Sequence, residues 1–151
     1  MTESFRTRLL RWQFNWFPAF RRSGARITYI AADMKTLRLE LPLNWKTKNY
    51  VGTIYGGCMY SAVDGILMVM LIELLERKVI VWDKSGSIRY RKPGRSTLSA
   101  TFTVTDDDLR EIRQRLETEE TFDKSYRVDL IDADGDVCAE IDKLIHFRRK
   151  R

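Results

Sequence analysis

The fold class this sequence predicts is α+β: an antiparallel sheet wrapped around one long central helix, with an amphipathic helix at the amino terminus. Three observations carry that expectation. From Gly57 to Glu76 the chain is apolar nearly all the way round, with Asp64 the only charge before Glu73, so a helix there needs cover on every side. Most of the remaining chain alternates apolar and polar residues with the period of two that half-buried strands require. The opening segment instead repeats apolar residues at helical spacing. At 151 residues the length suits one domain, residues 1–151, with one sizeable core.

In chain order, Phe5, Leu9, Trp12, Trp16 and Phe20 set the first helix, with Ser4 available as its N-cap. Arg6, Arg8 and Arg11 beside these aromatics suit either a membrane-surface helix or a helix packed on its own sheet, and packing is the expectation. Ala25 to Ala31 and Thr36 to Leu43 read as a strand hairpin, the second strand alternating Leu37, Leu39, Leu41 and Leu43 with Arg38, Glu40 and Pro42. A loop rich in Asn, Lys and Gly then leads to the central helix. Val79 to Trp82 with Ser87 to Arg91 reads as one stretch of strand and Thr97 to Thr105 as the next, which has the cleanest alternation in the chain, Leu98, Ala100, Phe102 and Val104 against Ser and Thr. Asp108 with Glu111 suggests a capping box for a short helix to about Leu116. Tyr126 to Ile131 and Val137 to Phe147 flank Asp134-Gly135, a hairpin turn signal. The four strands after the central helix are expected to form a meander.

Composition excludes several classes. Hydrophobic residues make up 44% and charged residues 32%, too apolar for a disordered chain. Cys58 and Cys138 form no CxxC pair and have no histidine cluster beside them, so neither a metal site nor a disulfide framework is indicated, and a reducing cytoplasm fits best. The amino terminus lacks the apolar core and small-residue cleavage site of a secretory signal. Ile54 to Ile72 has the length of a membrane span, but a mid-span carboxylate is costly in lipid and the rest of the chain reads as sheet; no span is expected. Asp132, Asp134 and Asp136 imitate a calcium loop, yet glycine falls fourth rather than sixth, and Lys143 stands where a bidentate Glu is required. His146, the lone histidine, sits in a terminal strand without any nucleophile elbow to serve.

Lys and Arg total 27 against 21 for Asp and Glu, a net charge of +6 that favours anionic partners. The basic run Arg148, Arg149, Lys150 and Arg151 reads as a solvated tail.

The chemistry concentrates at the start of the central helix. Asn49-Tyr50-Val51-Gly52-Thr53-Ile54-Tyr55-Gly56-Gly57 brings a loop and two glycines to a helix N-terminus, where unpaired amides and the helix dipole stabilise negative charge. Asp64 lies two turns on, roughly 10 Å along the axis. A buried, isolated carboxylate has its pKa raised by desolvation unless something pairs with it, a condition usually found where the group works as a base or nucleophile.

These residues resemble the hotdog-fold thioesterases of the phenylacetate-pathway type, whose motif runs Asn, five residues, His-Gly-Gly, then an Ala-Asp pair on the central helix. Asn49, Gly56, Gly57 and Asp64 fall on it in register; Tyr55 replaces the histidine and Val63 the alanine. Trp82-Asp83-Lys84-Ser85 and Ile88-Arg89-Tyr90-Arg91-Lys92-Pro93-Gly94-Arg95 resemble the bacterial branch of putative or tetrameric acyl-CoA thioesterases, and the similarity spans nearly the whole chain.

The resemblance implies a hotdog fold, a homodimer or homotetramer, and hydrolysis of an acyl-CoA thioester at an interface shared by two protomers. Gly57 and Gly56 would hold the oxyanion, Asp64 of the partner subunit would be base or nucleophile, Asn49 would hold the water or the loop, and Tyr55 would meet the thioester or fill space. Arg89, Arg91, Lys92 and Arg95 would meet the coenzyme's phosphates. No cofactor is implied beyond coenzyme A as part of the substrate. Two other classes remain open: a hotdog protein that binds an acyl group or acyl carrier without hydrolysing it, and a basic surface module for nucleic acid or membrane. No nucleic-acid motif accompanies the charge.

Overall fold

A computed structural model describes residues 2–150 of the chain. Helix α1 (Phe5–Trp16) opens on the expected cap: Ser4 Oγ accepts the Thr7 amide at 3.1 Å, and Thr7 Oγ1 accepts the Ser4 amide at 2.9 Å. The helix does not run on to Phe20. Pro18 forces the residue before it out of helical backbone, so Phe17 is extended and a second short helix, α2 (Pro18–Arg22), begins at the proline.

The face that α1 buries is also not the expected one. Leu10 and Phe14 pack on the core and Thr7 is buried, whereas Phe5, Leu9, Trp12 and Trp16 point to solvent. Asn15 ties the helix to the sheet by donating to the Ile27 carbonyl at 2.9 Å and accepting the Ile27 amide at 2.7 Å.

Strands β1 (Arg26–Ile30) and β2 (Thr36–Leu41) form the expected antiparallel hairpin. The central segment follows as two helices, α3 (Gly56–Val63) and α4 (Ile66–Leu74), broken at Asp64 and Gly65. Asp64 is extended and Gly65 has φ +75°, a left-handed conformation that glycine adopts without steric cost. The expectation of cover on every side fails too. Met59, Ala62, Val63, Ile66, Leu67, Met70 and Leu71 are buried, but Gly57, Ser61 and Asp64 are exposed and Met68, Val69 and Ile72 only half-buried. The segment Gly56–Leu74 is long and apolar enough to cross a membrane; here its inner face is the core of a sheet.

The stretch expected from Val79 to Arg91 is one strand, β3 (Val79–Tyr90), with a bulge between Asp83 and Ser85. β4 (Leu98–Thr103) buries Leu98, Ala100 and Phe102 as expected. Helix α5 (Asp106–Thr118) starts earlier than Asp108, because Thr105 is the cap: its hydroxyl accepts the Asp108 amide at 3.0 Å while Asp108 accepts the Thr105 amide at 2.9 Å. β5 (Thr121–Ile131) and β6 (Val137–Arg149) are longer than the alternation suggested. They meet at the turn of Asp132 to Asp136, where Gly135 has φ +89°.

All six strands form one antiparallel sheet in the order β1-β2-β4-β5-β6-β3. The expected meander is therefore wrong at one strand: α3 and α4 connect β2 to the far edge, where β3 pairs with β6, and β4 returns to pair with β2. The basic tail is not free either. Arg148 and Arg149 belong to β6, the Arg149 guanidinium donates to the Leu116 carbonyl, and Lys150 reaches the Arg77 carbonyl at 3.4 Å; Arg151 lies outside the described residues.

Candidate active site

The loop before α3 is built by its own side chains. Asn49 Oδ1 accepts the amides of Val51 at 3.1 Å and Thr53 at 3.0 Å, and its Nδ2 donates to the Thr53 hydroxyl at 2.9 Å. An asparagine suits this because one amide side chain supplies both acceptor and donor. The loop is pinned at its end by the Tyr55 amide on the Thr47 carbonyl at 2.7 Å and the Ile54 amide on the Gly94 carbonyl at 2.9 Å. Asn49 thus holds the loop.

These bonds frame an open cavity of about 680 Å³, in which Asn49, Tyr55, Gly56 and Gly57 face Tyr90, Arg91, Lys92 and Pro93. Six of the nine residues expected from the sequence therefore share one hollow. Cys58 and Met59 donate their amides to the Tyr55 carbonyl, while the Gly56 and Gly57 amides have no acceptor among the described residues. Free amides at a helix N-terminus are an anion site in waiting.

A side chain at either glycine would displace a tyrosine. A Cβ on Gly56 would lie 2.5 Å from the Tyr90 hydroxyl, and one on Gly57 would lie 2.5 Å from the Tyr55 ring. Tyr55, exposed, thus lies over the Gly57 position, and Tyr90, which sequence reasoning did not single out, closes over Gly56.

The cations around the turn are divided. Arg91 donates to Glu140 at 2.8 Å, and Lys92 bridges Asp132 at 2.8 Å and Asp136 at 2.5 Å. Hydrogen bonds to Asp132 and then Asp136 hold the Lys92 pKa above the ordinary lysine value. Arg89 and Arg95 have no ion-pair partner among the described residues, and neither lines the cavity. Two of the three aspartates that imitate a calcium loop, Asp132 and Asp136, serve Lys92, and no group of metal-ligating side chains occurs among the described residues. His146 is satisfied by Asp123 at 2.7 Å.

Asp64 stands apart from this hollow. It lines a separate cavity of about 350 Å³ with Ser61, Phe14, Phe20 and Met68. Its carboxylate is neither isolated nor deeply buried: Oδ1 accepts a hydrogen bond from the Lys143 ammonium at 2.6 Å, and the side chain is 54% exposed while that of Lys143 is 3% exposed. The correction has a local cause. Helix α3 ends at Asp64, so its carboxylate projects from a break rather than from the middle of a buried helix.

Lys143 is the residue the sequence reading missed. It sits on the inner face of β6 in the row Ala139, Ile141, Lys143, Ile145, Phe147, all buried, where a lysine is costly unless paired. The β3 bulge turns both Asp83 and Gly86 inward beside it. Asp83 Oδ1 lies 3.4 Å from the ammonium as an ion pair, and Gly86 leaves the space that the Tyr60 ring and Lys143 share. The Tyr60 hydroxyl is 3.4 Å from Nζ. Burial opposes the Lys143 charge, but the Asp64 hydrogen bond and the Asp83 carboxylate outweigh it, so its pKa is raised.

The chain matches one protein-family model, described as Domain of unknown function (DUF4442), over residues 6–146. No curated protein matches it. Among solved structures it is similar to PA5026 of Pseudomonas aeruginosa, a protein of unknown function described as a probable thioesterase. The TM-score is 0.85 at 20% identity, covering 98% of this chain and 99% of that one. Thioesterase HI1161 of Haemophilus influenzae gives 0.70 at 14% identity, over 99% of this chain and 93% of the other. Thioesterase superfamily member 2 of Mus musculus gives 0.68 at 20%, over 95% and 98%. At these identities the likeness is one of fold, and that fold is the hotdog fold.

Proposed function

We propose that this chain, which belongs to the DUF4442 family, hydrolyses an acyl-CoA thioester to the free acid and coenzyme A. The observation that carries the reading is the pair of free amides at Gly56 and Gly57, presented at the N-terminus of α3 in a cavity shaped by Asn49, Tyr55 and Tyr90. Thioesterase names among the similar folds support it by analogy.

The carboxylate and the amides occupy opposite ends of α3 and open into different cavities, so one protomer does not complete the site. A second copy supplies what is missing. Strand β3 is an edge of the sheet, 12 residues long, and an uncovered edge of that length invites pairing. Two copies joined there would bring the exposed side of each α3 toward the other, in a homodimer or a pair of dimers.

In the proposed reaction, the oxygen of Asp64 that Lys143 leaves free takes a proton from water, whose oxygen adds to the thioester carbonyl carbon of a substrate held by the partner. The Gly57 amide, with that of Gly56, holds the oxyanion. Collapse breaks the carbon–sulfur bond, and the coenzyme A thiolate takes up the proton that Asp64 had accepted, which restores the carboxylate. Direct attack by Asp64 followed by hydrolysis of the acyl-enzyme gives the same products. Lys143 acts through Asp64, whose carboxylate it holds in place by the hydrogen bond to Oδ1. Arg91 and Lys92 lie at the cavity rim, where phosphates of the coenzyme would compete with Glu140, Asp132 and Asp136 for them. No cofactor is required, and the free thiols of Cys58 and Cys138 suit a cytoplasmic enzyme.

The test is release of coenzyme A thiol from a panel of acyl-CoA chain lengths by purified protein, with light scattering of the same sample. Turnover by a dimer or tetramer is expected; a stable monomer at micromolar concentration would remove the shared site. A second reading, binding of acyl-CoA or an acyl carrier without hydrolysis, is favoured by Tyr55 standing where the phenylacetate-type thioesterase motif has histidine. Saturable binding with no thiol release would select it.

A further inference from the structure

The outward face of α1 serves none of the chemistry above. Phe5, Leu9, Trp12 and Trp16 recur at helical spacing on the side opposite Leu10 and Phe14; Phe5 is 81% exposed, Trp12 58% and Trp16 57%. A helix with one apolar face on its own core and a second, aromatic one in water has a partner still to meet.

Charge identifies that partner. From Ser4 to Ala32 the chain carries six arginines and no Asp or Glu. Three of the six are neutralised by carboxylates elsewhere: Arg6 by Glu73, Arg11 by Glu3 and Arg26 by Glu40. Arg21 and Arg22 have no salt-bridge partner among the described residues, whereas Arg8 lies near enough to Glu3 to help lower the pKa of that carboxyl. Arg21 lies 4.8 Å over the Trp16 ring, and with Arg22 and Lys46 it lines a surface cavity of about 420 Å³ beside that tryptophan. Next to Lys46, Trp45 is 81% exposed and carries the ammonium 5.3 Å above its ring. Tryptophans and unneutralised cations therefore alternate along one surface.

We infer that this face docks on an anionic lipid bilayer, with Phe5, Leu9, Trp12 and Trp16 entering the interface and Arg21, Arg22 and Lys46 meeting lipid phosphates. A bilayer offers apolar depth and negative charge together, and this composition is that of helices lying in the membrane plane. A second copy fits poorly, because a two-fold contact would oppose the same unpaired cations. Nucleic acid supplies the charge but no apolar phase for Phe5 and Leu9. The inference is independent of the proposed thioester chemistry.

The experiment is co-sedimentation of full-length protein with vesicles of equimolar phosphatidylcholine and phosphatidylglycerol, against pure phosphatidylcholine and against duplex RNA. Each cation near an anionic surface contributes about fivefold to partitioning, so Arg21→Gln with Arg22→Gln should lower it about 25-fold. Trp12→Ser with Trp16→Ser should lower it comparably, and both pairs should leave circular dichroism and particle mass unchanged. Absence of vesicle binding, or binding unaltered in the arginine variant, overturns the inference. So does RNA binding as strong as vesicle binding, or a change of particle mass in the tryptophan variant, which would make the face a contact between copies.

Discussion

Replacing Asp64 by asparagine separates the two tasks the structure gives this residue, partner of a buried lysine and proposed base. Removing one partner of a buried ion pair typically costs about 3–5 kcal/mol. Three features reduce that here: the Asp64 side chain is 54% exposed, asparagine can still accept from Lys143, and Asp83 remains 3.4 Å from the ammonium. A loss of about 1–2 kcal/mol is expected, read as a lower urea midpoint at unchanged slope. Activity should fall much further. General-base catalysis is worth about 10² to 10⁴-fold, so kcat and kcat/KM should drop together by at least about 100-fold, or about 2.7 kcal/mol of transition-state stabilisation. Thiol release is the assay, run where circular dichroism and light scattering match the parent. Should Asp64→Asn unfold, Asp64→Asn with Lys143→Met and Asp83→Asn removes the lysine and the charge of both carboxylates that face it, and should restore most of the stability but none of the turnover. Near-normal turnover in folded protein by either variant would refute the reasoning and leave Asp64 as the counter-ion of Lys143 alone.

Three further outcomes follow from the geometry. The raised pKa of Lys143 makes its pair a source of stability that is complete below the ordinary lysine value of 10.5 and lost as pH rises through the folded value, so Lys143→Met should flatten the alkaline fall in unfolding free energy. Gly56→Ala places a methyl 2.5 Å from the Tyr90 hydroxyl at the amides proposed to hold the oxyanion, and should lower kcat/KM by at least about tenfold with little change in thermal midpoint. Arg91→Gln with Lys92→Gln should raise KM for acyl-CoA at nearly constant kcat, an effect that added salt reproduces and that vanishes for a short thioester lacking the nucleotide.

Local pattern alone determined a good part of this protein. Alternation at Leu37, Leu39 and Leu41 and at Leu98, Ala100 and Phe102 placed their strands and inner faces, because a pleated strand has one period and one wet side. Asn49, Tyr55, Gly56 and Gly57 could be grouped because they are neighbours in sequence, so a loop and a helix start keep them together whatever the rest of the chain does. The cap at Ser4 was legible for the same reason.

Where contacts join distant segments, only the tertiary structure decided. Which side of α1 is buried depended on where the sheet lay, and Leu10 with Phe14 competed with the more conspicuous tryptophans. The break at Asp64-Gly65 looked like continuous helix because apolarity reports burial, not backbone conformation. Strand β3 joins β6 rather than β4, since pairing is set by where α3 and α4 deliver the chain and not by order along it. Lys143 lies 79 residues from Asp64, and no local pattern connects them. A lysine in the inward frame of β6 did carry a signal, because an ammonium buried among isoleucines demands a carboxylate. Which carboxylates answer, Asp64 from a helix end and Asp83 from a bulge, was settled by packing, the one process that brings a strand, a helix break and an irregular edge to the same point.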